Sequence, residues 1–175
     1  MKKLLRICCL AVTVTFAATS SGQVTDKKSL FETSDTLLIK TLVQQGQRID
    51  ETNPSGNTPL LDALLKKDQD KAKVLIDLGA SLSVLNADGW TPLQLAVYLS
   101  EQDCVKRMLG RNAEVNKQST NGWTALHYAV RENNAPLVLL LLDAGARRDI
   151  ADKWGRTPLS IATERDFTYL QNLLK

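Results

Sequence analysis

Histidine is almost missing from this chain: His127 is the single one in 175 residues. Metal centres built from histidine pairs, and most acid-base relays, therefore have no raw material. A Gly-x-Ser-x-Gly elbow, a phosphate-cradling glycine loop and a Cys-x-x-Cys pair are also lacking, so nucleophilic hydrolysis, nucleotide chemistry and dithiol redox chemistry have no recognisable site. The carboxylates at Asp88, Glu101, Glu114 and Asp143 are scattered through the chain, and solvated surface is their default place. An enzyme is not expected, nor a cofactor or a metal. Cysteine is equally scarce, with Cys8 and Cys9 near the start and Cys104 alone beyond them. A lone Cys104 can form no intrachain disulfide once the first two are removed, and its spacing reads as a small core residue.

An excess of charge is lacking too, once the first residues are set aside. Lys2, Lys3 and Arg6 lie in the first 22 residues, which hold no acid; taking these three from 22 basic residues leaves 19 against 19 acidic ones. Such a neutral chain has no general electrostatic drive toward nucleic acid or an anionic membrane. The first 22 residues have a basic start, an apolar run from Ile7 to Ala18 and small residues at Ala17, Ala18, Ser20, Ser21 and Gly22. This is the layout of a secretory signal peptide, expected to be cleaved near Gly22-Gln23. The run is shorter than the roughly 20 residues that a spanning helix needs, which favours cleavage over an uncleaved anchor. Cys8 and Cys9 lack a leucine-and-small-residue box before them, which argues against lipidation. The expected location is periplasmic or secreted, and the Met-Lys-Lys start favours a bacterium.

What the chain does contain is a repeat. Gly56, Gly89, Gly122 and Gly155 follow one another at steps of 33 residues, and the same step links Thr58, Thr91, Thr124 and Thr157, the leucines at 60, 93, 126 and 159, and the alanines at 63, 96, 129 and 162. A fixed period of this length marks a stacked-repeat protein, in which each unit is buried by its neighbours. Thr before Pro at 58–59, 91–92 and 157–158 suits a helix start, because Thr caps free N–H groups and Pro loses a donor that had no partner. The stepped alanines fall where two helices must approach closely. Gly79 and Gly145 are expected to close second helices in the left-handed region, with Asn112 as the tolerable substitute. Helices are expected near 59–66, 70–78, 92–99, 103–110, 125–132 and 136–144. The last unit has Leu170, Leu173 and Leu174 facing back into the stack.

These units, with Gly89-Trp90-Thr91-Pro92-Leu93-Gln94-Leu95-Ala96-Val97 the fullest, closely resemble ankyrin repeats over roughly residues 26 to 175. The resemblance implies an all-α solenoid of helix-turn-helix units joined by hairpin turns. The expected division is a signal peptide at 1–22, an N-terminal capping repeat at 23–52, repeats at 53–85, 86–118 and 119–151, and a C-terminal capping repeat at 152–175. Arg107 and Arg148 depart from the family's usual aliphatic residues, and Asp62 stands where Leu95, Tyr128 and Ile161 occur in later units. His127 takes the place of the imidazole that, in such repeats, bonds to the neighbouring turn.

The resemblance also implies a function: binding another protein along a concave face, by a chain that is monomeric when free. Carrying the family geometry across puts the turn residues Asp88, Trp90, Asn121, Trp123, Trp154 and Arg156 on that face, together with Lys66, Tyr98, Leu99 and Arg131 from the helix ends. Trp90 and Trp123 are expected to be the main anchors, since exposed Trp, Tyr and Arg make up the composition of interface hot spots. The competing reading has the tryptophans packed on adjacent turns, with Trp154 folded over the last cap. Similar periplasmic ankyrin proteins suggest two roles, immunity against a toxic effector or support of an envelope stress-defence enzyme such as a catalase.

Overall fold

The computed structural model describes residues 29–175. The stretch expected to be a signal peptide and the polar residues after it fall outside the described residues. Among the described residues nine helices form two rows and no strand occurs. The inner row consists of α2 (Pro59–Leu65), α4 (Pro92–Tyr98), α6 (Ala125–Arg131) and α8 (Pro158–Glu164). The outer row consists of α1 (Thr36–Gln44), α3 (Gln69–Asp77), α5 (Gln102–Gly110), α7 (Ala135–Asp143) and α9 (Thr168–Leu174). Each inner helix packs on its own outer partner and on the inner helices of the neighbouring units. Every helix predicted from the spacing is present, with bounds within one residue.

The local chemistry explains the boundaries. The hydroxyls of Thr58, Thr91 and Thr157 accept hydrogen bonds from the backbone N–H groups of Leu61, Gln94 and Ser160, at 3.2 to 3.3 Å, which satisfies donors left orphaned at a helix start. The outer helices α3 and α7 are closed by Gly79 and Gly145 at φ of 90° and 85°, and α5 by Asn112 at 58°. These are the left-handed positions assigned to them from sequence, where Gly is at no disadvantage and Asn is tolerated.

Helix contact at the inner row requires small residues, and Ala63, Ala96, Ala129 and Ala162 are all fully buried. Around them one continuous core runs from Leu30 to Leu174. Cys104, Leu137 and Leu170, spaced by the repeat, lie in it together. Burial pushes the Cys104 thiol above its ordinary range, so it stays protonated and packs as an apolar group. Leu170 and Leu174 are buried and Leu173 packs on the core, so the last helix turns its leucines back into the stack.

The departures resolve individually. Arg107 donates to the Asp77 carboxylate at 2.7 Å, and Arg148 lies exposed. Asp62 is buried and pairs with Lys66 at 2.9 Å. A second charge near this end went unread from the sequence. Lys71 is buried, its ammonium 3.5 Å from the Phe31 carbonyl in the N-terminal turn, and loss of hydration lowers its pKa.

Candidate functional site

The face that could act is built from the turns that precede the inner helices. Residues 53, 86, 119 and 152 each pin such a turn. The side chains of Asn53, Asn86, Ser119 and Asp152 accept the backbone N–H four residues on, at 2.9 to 3.3 Å. The glycine three positions after each of them donates to its carbonyl. Gly122 shows why no other residue serves: its φ is 79°, and an added Cβ would lie 2.9 Å from the Lys153 backbone nitrogen.

Adjacent turns are tied by the third residue of the inner helices. Gln94 accepts from the Thr91 N–H at 2.9 Å and donates to the carbonyls of Lys117 and Trp123, at 2.7 and 3.0 Å. His127 repeats the device one unit later. Its Nδ1 accepts from the Thr124 N–H at 3.1 Å, and its Nε2 lies 3.2 Å from the Arg156 carbonyl. A carbonyl can only accept, so Nε2 carries the proton and the ring is neutral. Burial lowers the imidazole pKa, outweighing the Arg156 carbonyl and the Asp152 charge, which act to raise it. The structural role read from sequence is the one His127 performs.

On this frame the aromatic residues form a ladder. Trp90 meets Tyr98 edge-on at 5.1 Å between ring centres and leans on Tyr128 at 4.5 Å, and Tyr128 meets Trp123 at 5.0 Å. Arg156 continues it, with its guanidinium carbon 5.7 Å from the Trp123 ring centre and 5.1 Å from that of Trp154. Arg131 sits against Tyr98, Trp123 and Tyr128 at 4.9, 5.1 and 5.5 Å. Such contacts orient both cation and rings.

Of the expected site, Trp90, Tyr98, Trp123, Arg131, Trp154 and Arg156 are brought together, but one of the two main anchors is not available. Trp123 keeps only 9% of its surface exposed, because its indole N–H donates at 2.9 Å to the Asp152 carboxylate of the next turn. It is a structural post of the wall and not an anchor for a visitor. Trp90 is half-buried between Tyr98 and Tyr128, and Leu99 is half-buried as well. Trp154, in contrast, is 64% exposed and does not fold over the last cap. Tyr98 is 40% exposed; Lys66, Asp88 and Asn121 are exposed, and Arg131 and Arg156 are half-buried.

Tyr128 and Asp152, which the sequence reading did not assign to the face, complete it together with Leu65, which the repeat placed at a helix position on the concave side. Tyr128, buried, is the hub where three aromatic contacts meet. Leu65, 47% exposed, extends the strip on the side before Tyr98. Asp152 has the densest set of donors around it: the N–H groups of Trp123 (indole), Trp154 and Arg156 (backbone) and the Arg156 guanidinium all reach it between 2.8 and 3.0 Å. Burial acts to raise its pKa, but these hydrogen bonds outweigh it and hold the carboxyl below the usual range. The signal was there, since residues 53, 86, 119 and 152 keep the 33-residue step.

Among the described residues no group of three His, Cys, Asp or Glu side chains is arranged to hold a metal ion, and no helix is long and apolar enough to cross a membrane. The arrangement offers shape, aromatic surface and hydrogen-bond donors. A model of the family described as ankyrin repeats, three copies, matches residues 30–119 and 102–175. The chain belongs to the ankyrin-repeat family. Among curated proteins none matches it. Ankyrin repeats are protein–protein interaction modules and are generally non-catalytic, which agrees with a face rich in aromatic surface and poor in reactive groups.

Proposed function

We propose that this ankyrin-repeat protein works outside the cytoplasm by gripping one partner protein along the face of turn tips and inner helices. The observation that carries the reading is the strip Leu65, Tyr98, Arg131 and Trp154, which keeps exposed surface while Tyr98 and Arg131 rest on the packed rings of Trp90, Tyr128 and Trp123. A support that is already ordered lowers the entropy lost when a partner binds, and aromatic and Arg side chains are the ones that dominate interface energetics. The location rests on the signal-like first 22 residues. The role favoured for such a binder is immunity: occupying a toxic effector so that its active surface is covered. Support of an envelope stress-defence enzyme such as a catalase would use the same face and differ only in the partner.

The test is capture from an extracytoplasmic extract with the chain carrying Tyr98→Ala and Trp154→Ala together. Both side chains are substantially exposed, so the melting temperature should stay near that of the parent while the captured companions disappear. Unchanged companions would sink the concave-face reading. The product of the gene next to this one, added as purified protein, separates a toxin from a peroxidase.

A further inference from the structure

We propose that Arg156 is a positioning residue: it holds the exposed indole of Trp154 in one orientation, so that the tip of the fourth turn meets a partner as an anchor already in place. The proposal rests on the concave-face reading and adds which side chain of that face leads and what keeps it ready.

The fourth turn differs from the three before it. Along the 33-residue step Trp154 follows Ser55, Asp88 and Asn121, and Arg156 follows Asn57, Trp90 and Trp123. An aromatic tip with a cation two residues later thus occurs in this turn and in none of the earlier three. Trp154 is 64% exposed, whereas Trp90 is half-buried and Trp123 is 9% exposed. An exposed ring ordinarily changes rotamer within nanoseconds. Fixing it on binding then weakens affinity by about two- to tenfold for each side chain immobilised.

Two contacts oppose that freedom. The Trp154 backbone N–H donates to Asp152 Oδ1 at 2.9 Å, which fixes the base of the residue. The Arg156 guanidinium carbon lies over its ring, 5.1 Å from the centre. The guanidinium is itself held, since Nε and Nη2 donate to Asp152 Oδ2 at 3.0 and 2.8 Å and the Trp123 ring centre is 5.7 Å away. Asp152 Oδ2 also accepts the Trp123 indole N–H at 2.9 Å, so the carboxylate is anchored in the wall. The charge of Arg156 is therefore spent inside the turn, and its plane serves the neighbouring ring. A planar guanidinium stacks on an aromatic face, while an ammonium on a flexible stem gives no such plane. One carboxylate thereby buries Trp123 and, through Arg156, steadies Trp154.

The experiment is nitrogen-15 relaxation of the tryptophan indole N–H groups in the full chain, with the Trp154 signal identified by its loss in Trp154→Phe. The Trp154 indole should be as ordered as rigid backbone, with an order parameter of about 0.85, and should fall below about 0.6 in Arg156→Gln. The Trp90 indole, which has no contact with Arg156, should not change, and this separates lost positioning from general loosening of the fold. Arg156→Lys keeps a charge opposite Asp152, so its melting temperature should stay near the parent's while the Trp154 indole is less ordered than in the parent. An indole already mobile in the parent, or equally ordered in the parent and both variants, would overturn the positioning role and leave the concave-face reading intact. Capture of the same companion by Arg156→Gln should need about two- to tenfold more protein. Companions unchanged by Tyr98→Ala and Trp154→Ala together would overturn the anchor and the concave-face reading alike.

Discussion

Replacing Asp152 by Ala tests whether one carboxylate really holds the aromatic wall in place. The substitution leaves the buried Trp123 indole N–H without its acceptor at 2.9 Å, and it frees the backbone N–H groups of Trp154 and Arg156, each also at 2.9 Å. A buried donor stripped of its partner costs about 1–3 kcal/mol. The two backbone groups are only partly buried and can turn to water, so about 0.5–1 kcal/mol each is appropriate. The pair with Arg156, whose side chain is 36% exposed, adds little. The expected loss is therefore about 2–5 kcal/mol, read as a fall in the urea midpoint followed by tryptophan fluorescence. Asp152→Asn is the decisive companion, since Asn53 and Asn86 already do the turn-pinning work at the equivalent positions. Its single amide oxygen still accepts from the two backbone N–H groups, but its NH2 then faces the Trp123 indole donor, so it should cost about 1–3 kcal/mol, less than the Ala variant. If Asp152→Ala stays within about 0.5 kcal/mol of the parent, or if the Asn variant is as damaged as the Ala variant, the turn is held by something else.

Acid should weaken the protein through His127. Its folded pKa is lowered, so the unfolded chain binds the proton first, and stability that is complete above the unfolded value near 6.5 is lost as pH falls toward the folded value. His127→Gln, which copies the natural bridge made by Gln94, should flatten the melting temperature between about pH 7 and pH 5; a slope equal to the parent's would refute the assignment. Leu141 is fully buried in α7, and Leu141→Ala should cost about 2–5 kcal/mol in chemical denaturation, with a loss under about 1 kcal/mol speaking against a tightly packed outer row. At the end of α5, Asn112 has a φ of 58°, so Asn112→Ala should destabilise by about 1–2 kcal/mol while Asn112→Gly should not; equal melting temperatures for the two would contradict the left-handed turn.

The 33-residue step, by itself, determined the solenoid. It placed the helices to within a residue and put Cys104 and the stepped alanines in the core, because each of these depends on neighbours at a fixed distance along the chain, while the bridging role of His127 came from the resemblance to ankyrin repeats. It could not decide which of two tryptophans in equivalent places would stay accessible. That depends on the side chain 29 residues later, in the turn of the next unit. For Trp123 that residue is Asp152, long and charged enough to accept the indole N–H hydrogen bond and draw the ring inside. For Trp90 it is Ser119, a short hydroxyl that receives the Tyr128 phenol instead, at 3.4 Å. Trp90 consequently rests half-open between two tyrosines. Periodicity makes the positions equal; only the packing of one turn against the next, where a difference of one side chain redirects a buried hydrogen bond, made Trp123 part of the wall and left Tyr98, Arg131 and Trp154 as its surface.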